Sequence, residues 1–164
     1  AANITFKEAP EGTRADVLVR AQVDPECWAF AEVCYVTASR EAVRPISRAL
    51  VCLNPQRRWK VGFDGDLRTY DLRYTLAHEI GHAIGLDHPQ GGNQIMGYRY
   101  EEGFRTLQPG DVRGAVLIYG EPNEHAEIAQ ADGIMSLAAA PSSPARRFAK
   151  RWGTRGLAAR SSER

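Results

Sequence analysis

The sequence lacks any long hydrophobic run, because none of 18 or more apolar residues occurs among its 164 residues. A helix that crosses a membrane needs about 20 such residues, so we expect no membrane partner. The first residues, "AANITFKEAP", have neither the basic start nor the apolar stretch of a secretion signal. The location of the protein therefore has to be inferred from other features.

Cysteine is also scarce, with only Cys27, Cys34 and Cys52. Their spacing contains no CxxC pair of the kind that holds a structural zinc ion. An odd number leaves one thiol unpaired in any monomeric disulfide scheme. One disulfide with one buried thiol, or three reduced thiols used as small core residues, both fit this number.

The net charge of +1 is unevenly distributed, since residues 141–164 contain seven of the 21 Lys and Arg residues and one acidic residue. This segment is poor in large apolar residues, which predicts a disordered basic tail. Phe148 and Trp152 are its only aromatic residues, so a nucleic-acid partner is not expected. Residues 1–120 read as one domain, and residues 121–140 as a linker that could include a helix.

The pattern of apolar residues predicts an α+β domain. Short strands are expected at "NITF", "ADVLVRA", "VCYVTA" and "ISRALVCL", which are apolar or β-branched runs between turn residues. A helix is expected after Asp71, a good N-cap, and should end at Gly85. A second, shorter helix is expected in "DVRGAVLIYG", ending at Gly120.

The segment "HEIGHAIGLDH" contains three of the four histidines of the chain. His78 and His82 are four residues apart, so on a helix their imidazoles lie on one face at the right spacing for one ion. Gly85 allows the chain to bend, and His88 can then return as a third ligand. Three histidine ligands leave a fourth tetrahedral position open, which is typical of catalytic zinc.

Glu79 follows the first histidine and lies too far round the helix to bind the same ion. Its carboxylate is therefore available as a general base for a metal-activated water. This arrangement favours a zinc-dependent endopeptidase with one catalytic Zn²⁺ ion. The alternative is a zinc-stabilised, non-catalytic module that binds protein or nucleic acid.

The motif resembles that of the metzincin metallopeptidases, whose HExxHxxGxxH signature is matched by His78, Glu79, His82, Gly85 and His88. In "QIMGY", Met96 follows the third histidine by eight residues, which resembles the Met-turn spacing of the matrixins. The segments "ITFKEAPEGTRADVLV" and "DVRGAVLIYG" are also similar to matrixin segments. The resemblance thus extends over residues 3–120.

The resemblance implies a mixed, twisted β-sheet over an active-site helix, followed by a C-terminal helix that begins at Asp111 and braces the Met turn. It also implies a protein or peptide substrate bound in extended form along an edge strand within "EVCYVTAS". The pocket for the substrate side chain would be walled by residues 97–107. By family habit we expect a secreted, monomeric protein.

Three departures from the matrixin pattern change these expectations. No histidine precedes His78, so the second, structural zinc of the family is not expected, and calcium at Asp64–Asp66 is only weakly supported. Pro89 and Tyr98 are similar to serralysin residues, and the Met-x-Tyr turn also to that of astacins. Tyr98 is accordingly either an O–H donor to the developing oxyanion or a packed aromatic residue.

The family's first strand and long helix have no counterpart before Ile4. The chain also does not begin with Met, which suggests a processed form or a fragment of a longer protein. If nothing replaces that helix, one face of the sheet should be uncovered.

Overall fold

A computed structural model describes residues 2–36, 44–122 and 146–149. Its elements are β1 (Val17–Ala21), β2 (Ala29–Tyr35), β3 (Ile46–Leu53), β4 (Trp59–Lys60), β5 (Tyr70–Asp71), α1 (Leu72–Ala83), α2 (Pro109–Tyr119) and β6 (Arg146–Ala149). Neither helix is long and apolar enough to span a membrane, in the part of the chain that was searched.

Four strands form a mixed sheet in the order β1-β3-β2-β6. β1 pairs with β3 in parallel, whereas β2 runs antiparallel to both β3 and β6. β4 and β5 form a separate two-stranded parallel sheet. The α+β class and the mixed sheet expected from the sequence are confirmed.

The sheet buries alternating residues on its two faces, as strand geometry requires. Ala31 and Val33 of β2 and Val51 of β3 pack against Ala83 of α1, which fixes the helix to the sheet. On the other face, Phe30 packs with Cys27 and Cys52. Cys27 and Cys52 are both buried in this cluster, where they pack as small core residues.

The first helix has the boundaries that its sequence predicts. The Asp71 side chain accepts a hydrogen bond from the backbone N–H of Tyr74 at 2.7 Å, which caps the N-terminus of α1. Gly85 follows the last turn with φ 98°, a conformation that favours glycine. The second helix begins at Pro109, before the predicted start, because proline suits the first helical position.

The predicted strand "NITF" is wrong. No described strand lies beside it, and the backbone N–H of Asn3 instead donates to the carbonyl of Gly120 at 3.0 Å. A β-branched run needs a partner strand before it can form a ladder. Four of the five residues of the edge strand β1 are exposed, and since successive residues point to opposite faces, β1 is open to solvent on both faces.

Two further boundaries differ from the predictions. β2 begins at Ala29, ahead of the predicted "VCYVTA", because its register continues to Ala29 opposite Leu53. Alanine has weak strand propensity, so the sequence pattern hid this start. Within the tail predicted to be disordered, residues 146–149 form β6, while the remaining tail residues and residues 123–140 of the predicted linker lie outside the described residues.

Candidate metal centre

The three histidines of the motif converge on one point. The Nε2 atom of His78 lies 3.1 Å from that of His82 and 3.2 Å from that of His88, and the His82 and His88 Nε2 atoms are 3.2 Å apart. Three nitrogens around a tetrahedral Zn²⁺ ion should be separated by about 3.3 Å, given zinc–nitrogen bonds of about 2.0–2.1 Å. The spacing therefore fits a zinc ion.

Backbone carbonyls fix the orientation of two of these rings. His78 Nδ1 lies 2.6 Å from the carbonyl oxygen of Ile95, and His82 Nδ1 lies 2.8 Å from that of Leu86. A carbonyl oxygen can only accept, so both Nδ1 atoms donate, and each ring in its neutral form turns an unprotonated Nε2 atom towards the shared point. Unprotonated nitrogens at this distance repel each other unless a cation lies between them, which is the arrangement of a metal site.

Helix geometry and a bend place the three ligands. His78 and His82 are fully buried on one face of α1, with exposures of 0% and 1%. After the turn at Gly85, the chain brings His88 back towards them, and its side chain keeps 24% exposure. Within the described residues, these three form the one group of His, Cys, Asp or Glu side chains able to hold a metal ion.

Glu79 lies next to the first ligand and has no solvent exposure. Burying a carboxylate costs free energy, so a buried carboxylate usually has a charged neighbour or takes part in proton transfer. Adjacent residues on a helix point about 100° apart, so Glu79 does not share the direction of His78. The site can thus combine a cation held by histidines with a nearby proton acceptor.

Met96 lies directly beneath α1, where the resemblance expects the Met turn. A Cβ atom added at Gly81 would lie 2.2 Å from the Met96 sulfur, so the two residues are in close contact. Met96 is itself only 3% exposed. Gly81 is not one of the specified positions of the histidine motif, although a glycine inside a helix, beside His82, is a signal of close packing.

Asp111 fixes the segment that leads into this turn. Its carboxylate accepts hydrogen bonds from the backbone N–H groups of Ile95 and Met96, both at 3.0 Å, and of Gln108 at 2.8 Å. Asp111 is 3% exposed and stands in the first turn of α2. Two of these hydrogen bonds hold the segment with Met96 to α2, and the third, from Gln108, caps the N-terminus of α2.

Tyr98 lies at the edge of the centre. Its ring meets the His88 ring edge to face at a centroid distance of 5.4 Å. The residue remains 62% exposed, so it is not a packed core aromatic. Tyr98 therefore lies beside His88 with most of its surface open to solvent.

Comparisons with known proteins agree with this site. The matrixin family model matches residues 1–120. The chain is 41% identical over 61 residues to "Matrix metalloproteinase-19" of Homo sapiens, which is 35% of this chain and 12% of the relative. It is 37% identical over 67 residues to "Stromelysin-3" of Homo sapiens, which is 39% of this chain and 13% of that relative.

The aligned segments therefore span a small part of the curated relatives, at most 13% of their length in these two cases. The family model, in contrast, covers well over half of this chain, including all three histidine ligands and both described helices. On that match, the protein belongs to the matrixin family of metallopeptidases.

Proposed function

We propose that this protein is a zinc-dependent endopeptidase. The observation that supports this most strongly is the juxtaposition of three converging histidine nitrogens with the fully buried carboxylate of Glu79. A purely structural zinc ion needs a fourth protein ligand, and the described residues offer three. An open fourth position next to a buried base is the arrangement of a hydrolase.

His78, His82 and His88 would hold the ion through their Nε2 atoms. Zinc, when bound, supplies a Lewis acid that activates water and polarises a carbonyl group. Glu79 would act as general base, accepting a proton from the attacking water and delivering it to the amine that leaves.

Tyr98 would assist as a hydrogen-bond donor. Its exposed ring stands against the His88 ring, at the edge of the centre. A donor aimed at the developing oxyanion stabilises the transition state more than the ground state. We assign Tyr98 this role, which is secondary to that of Glu79.

The substrate would be an extended protein or peptide segment that pairs with the outer edge of β2. A pocket of about 170 Å³ beside α1 could receive one of its side chains. Tyr74 and Ala77 of α1 line this pocket, together with Ile95 and Arg105. Arg105 belongs to the segment 97–107, which was expected to wall the pocket.

We infer a secreted protein from family membership alone. A monomer remains our proposal for the oligomeric state.

Metal analysis combined with peptide-library cleavage tests the proposed function. We expect about one zinc ion per chain and endopeptidase activity that is lost on chelation and restored by zinc. A protein that binds zinc but cleaves no peptide would contradict the proposal and favour the non-catalytic binding module. Absence of zinc binding would contradict both functions.

A further inference from the structure

The outer edge of β2 is occupied by a segment of this chain. β6 runs antiparallel along β2, with Ala149 opposite Phe30 and Arg146 opposite Val33. The other edge of β2 is paired with β3. The segment thus uses the same edge that an extended peptide would use for strand addition.

This edge lies over the helix that carries the metal ligands. Ala31 and Val33 of β2 pack in one cluster with Ala83, which follows His82 on α1. The register also sets Arg147 opposite Glu32 and Phe148 opposite Ala31. Any peptide that pairs with residues 30–33 would have to displace β6.

We propose that the segment Arg146–Ala149 is an internal ligand of the β2 edge, which competes with peptide substrates. The competition rests on the proposed function, whereas the docking does not. A tethered segment has an effective concentration in the millimolar range, so weak pairing is enough to fill the edge. A strand of four residues can still yield to a longer substrate strand.

The test uses the full chain with Arg147→Pro and Phe148→Pro together. Consecutive prolines remove at least one backbone donor that faces β2, because alternate N–H groups point to the same neighbour. The matched control places the same two prolines at Ala158 and Ala159, outside β6. Backbone amide exchange of residues 30–33 reports docking, and KM for a peptide substrate reports competition.

We expect faster amide exchange at residues 30–33 and a KM lowered by at least about threefold in the β6 variant only. A synthetic peptide of residues 142–153 should restore both values, and a scrambled peptide should not. Unchanged exchange would overturn the docking, and faster exchange with unchanged KM would overturn the competition. If no variant cleaves peptides, the exchange and peptide-binding results still decide the docking, separately from the failed function.

A second observation concerns the loop for which calcium was weakly expected. The ammonium group of Lys60 donates to the carboxylate of Asp64, to the carbonyl of Asp66 at 2.7 Å and to the carboxylate of Glu102 at 2.6 Å. The side chains of Lys60 and Glu102 are only 12% and 8% exposed. A positive charge is therefore already bound among these oxygens.

Calcium binds six to eight oxygen ligands and would be repelled by an ammonium group in the same place. The residues present do not fit a calcium ion at Asp64–Asp66. The other carboxylate oxygen of Glu102 accepts the N–H of Gly65 at 2.7 Å, so it also has a partner. The ligand atoms that a calcium ion would require are already used within the chain.

The same network reaches the start of the metal-binding helix. Glu102 accepts a hydrogen bond from the Tyr100 hydroxyl at 2.7 Å, and that hydroxyl accepts one from the backbone N–H of Asp71 at 2.9 Å. Asp71 is the N-cap of α1. The geometry assigns Lys60 as the resident cation of this loop, holding it to the N-terminus of α1 without calcium.

Thermal unfolding of the zinc-loaded protein, with and without millimolar calcium, tests this assignment. We expect no shift in Tm with calcium and a Tm lower by at least about 3 °C in Lys60→Met. Lys7→Met, which removes an exposed lysine, is the matched control. A calcium-dependent rise in the Tm of the unmodified protein, or equal Tm values for the two variants, would overturn the assignment.

Discussion

Asp111 and His78 bind opposite sides of a single residue, Ile95. The Ile95 N–H donates to the Asp111 carboxylate at 3.0 Å, and the Ile95 carbonyl lies 2.6 Å from His78 Nδ1. The N-terminus of α2 is thereby connected to His78 on α1, a proposed metal ligand, through two hydrogen bonds. This connection orients the His78 ring independently of any metal ion.

The first prediction concerns Asp111→Asn. An asparagine has one acceptor oxygen and directs an NH₂ group at backbone donors, so at least one buried N–H loses its partner. We expect a loss of about 2 kcal/mol or more in unfolding free energy, because each hydrogen bond to the carboxylate contributes about 1.5–3 kcal/mol. Zinc affinity should fall by about 10–100-fold, which is typical when a residue that helps to orient a metal ligand is substituted.

Asp87→Asn is the matched control for this prediction. Asp87 is 4.0 Å from His88 Nδ1, and its side chain is 76% exposed. An exposed charge at this distance contributes little, so zinc affinity and stability should hardly change. Equal effects of the two substitutions in a zinc titration would show that Asp111 does not position His78.

The second prediction concerns Gly81→Ala. Alanine favours a helix by up to about 1 kcal/mol over glycine, yet the added Cβ would meet the Met96 sulfur at 2.2 Å. Because Met96 is buried, we expect a net loss of about 1–3 kcal/mol in denaturant unfolding. In a Met96→Ala background the penalty should shrink, since that change makes room.

Gly91→Ala provides the comparison for Gly81, because no atom lies within 4 Å of a Cβ added there. It should leave stability nearly unchanged. If Gly81→Ala stabilised the protein to the extent that helix propensity alone suggests, the close contact with Met96 would be refuted.

The third prediction is that acid removes the stability contributed by the Lys60 network, which comprises Lys60, Asp64 and Glu102. The hydrogen bond from Lys60 lowers the pKa of Asp64 below its ordinary 3.8. At Glu102, burial raises the pKa of the carboxyl group. Hydrogen bonds from Lys60 and Tyr100 have the larger effect, and they hold the Glu102 pKa below its ordinary 4.5. Since both folded-state pKa values are lowered, the stabilisation is present above the unfolded values and is lost as pH falls through the folded ones.

Thermal unfolding measured from about pH 6 to about pH 3 checks the direction of this pH dependence. The Tm difference between the unmodified protein and Lys60→Met should be largest at the upper end and shrink towards the lower end. Any zinc that is lost in acid is lost by both proteins, so the difference between their Tm values isolates the network. A difference that grew with acid would contradict the account.

The fourth prediction concerns Tyr98→Phe. Loss of a donor to the developing oxyanion lowers kcat more than it changes KM, because the bond strengthens only in the transition state. We expect kcat to fall by about tenfold to a hundredfold, at the low end for such donors because Tyr98 is exposed. If KM rises and kcat is unchanged, Tyr98 binds substrate and has no oxyanion role.

Much of the metal centre could be predicted from the sequence, because helix periodicity and one bend determine it. The spacing of His78 and His82 implies a shared face, and Gly85 has the positive φ that the bend requires. Asp71 caps α1 as its position suggested. These are local relationships, which a sequence pattern records directly.

The relationships that the sequence did not reveal are those between distant segments. The Lys60 contact with Glu102 joins positions 42 residues apart, and neither residue belongs to a recognisable motif. β6 lies in a segment whose composition alone favours disorder, and "NITF" has strand propensity without a strand beside it in the described structure. Partners of this kind depend on tertiary placement, which overrides local propensity.

The most direct test of the proposed function is the activity of Glu79→Gln at matched zinc content. Glutamine keeps the shape of the side chain but cannot accept the proton, so zinc stoichiometry should be unchanged while kcat/KM falls by about 10²–10⁴-fold. Cleavage of the same peptide would be measured with zinc-loaded, unmodified protein alongside. Undiminished cleavage by Glu79→Gln, with one zinc ion bound, would contradict Glu79 as the general base.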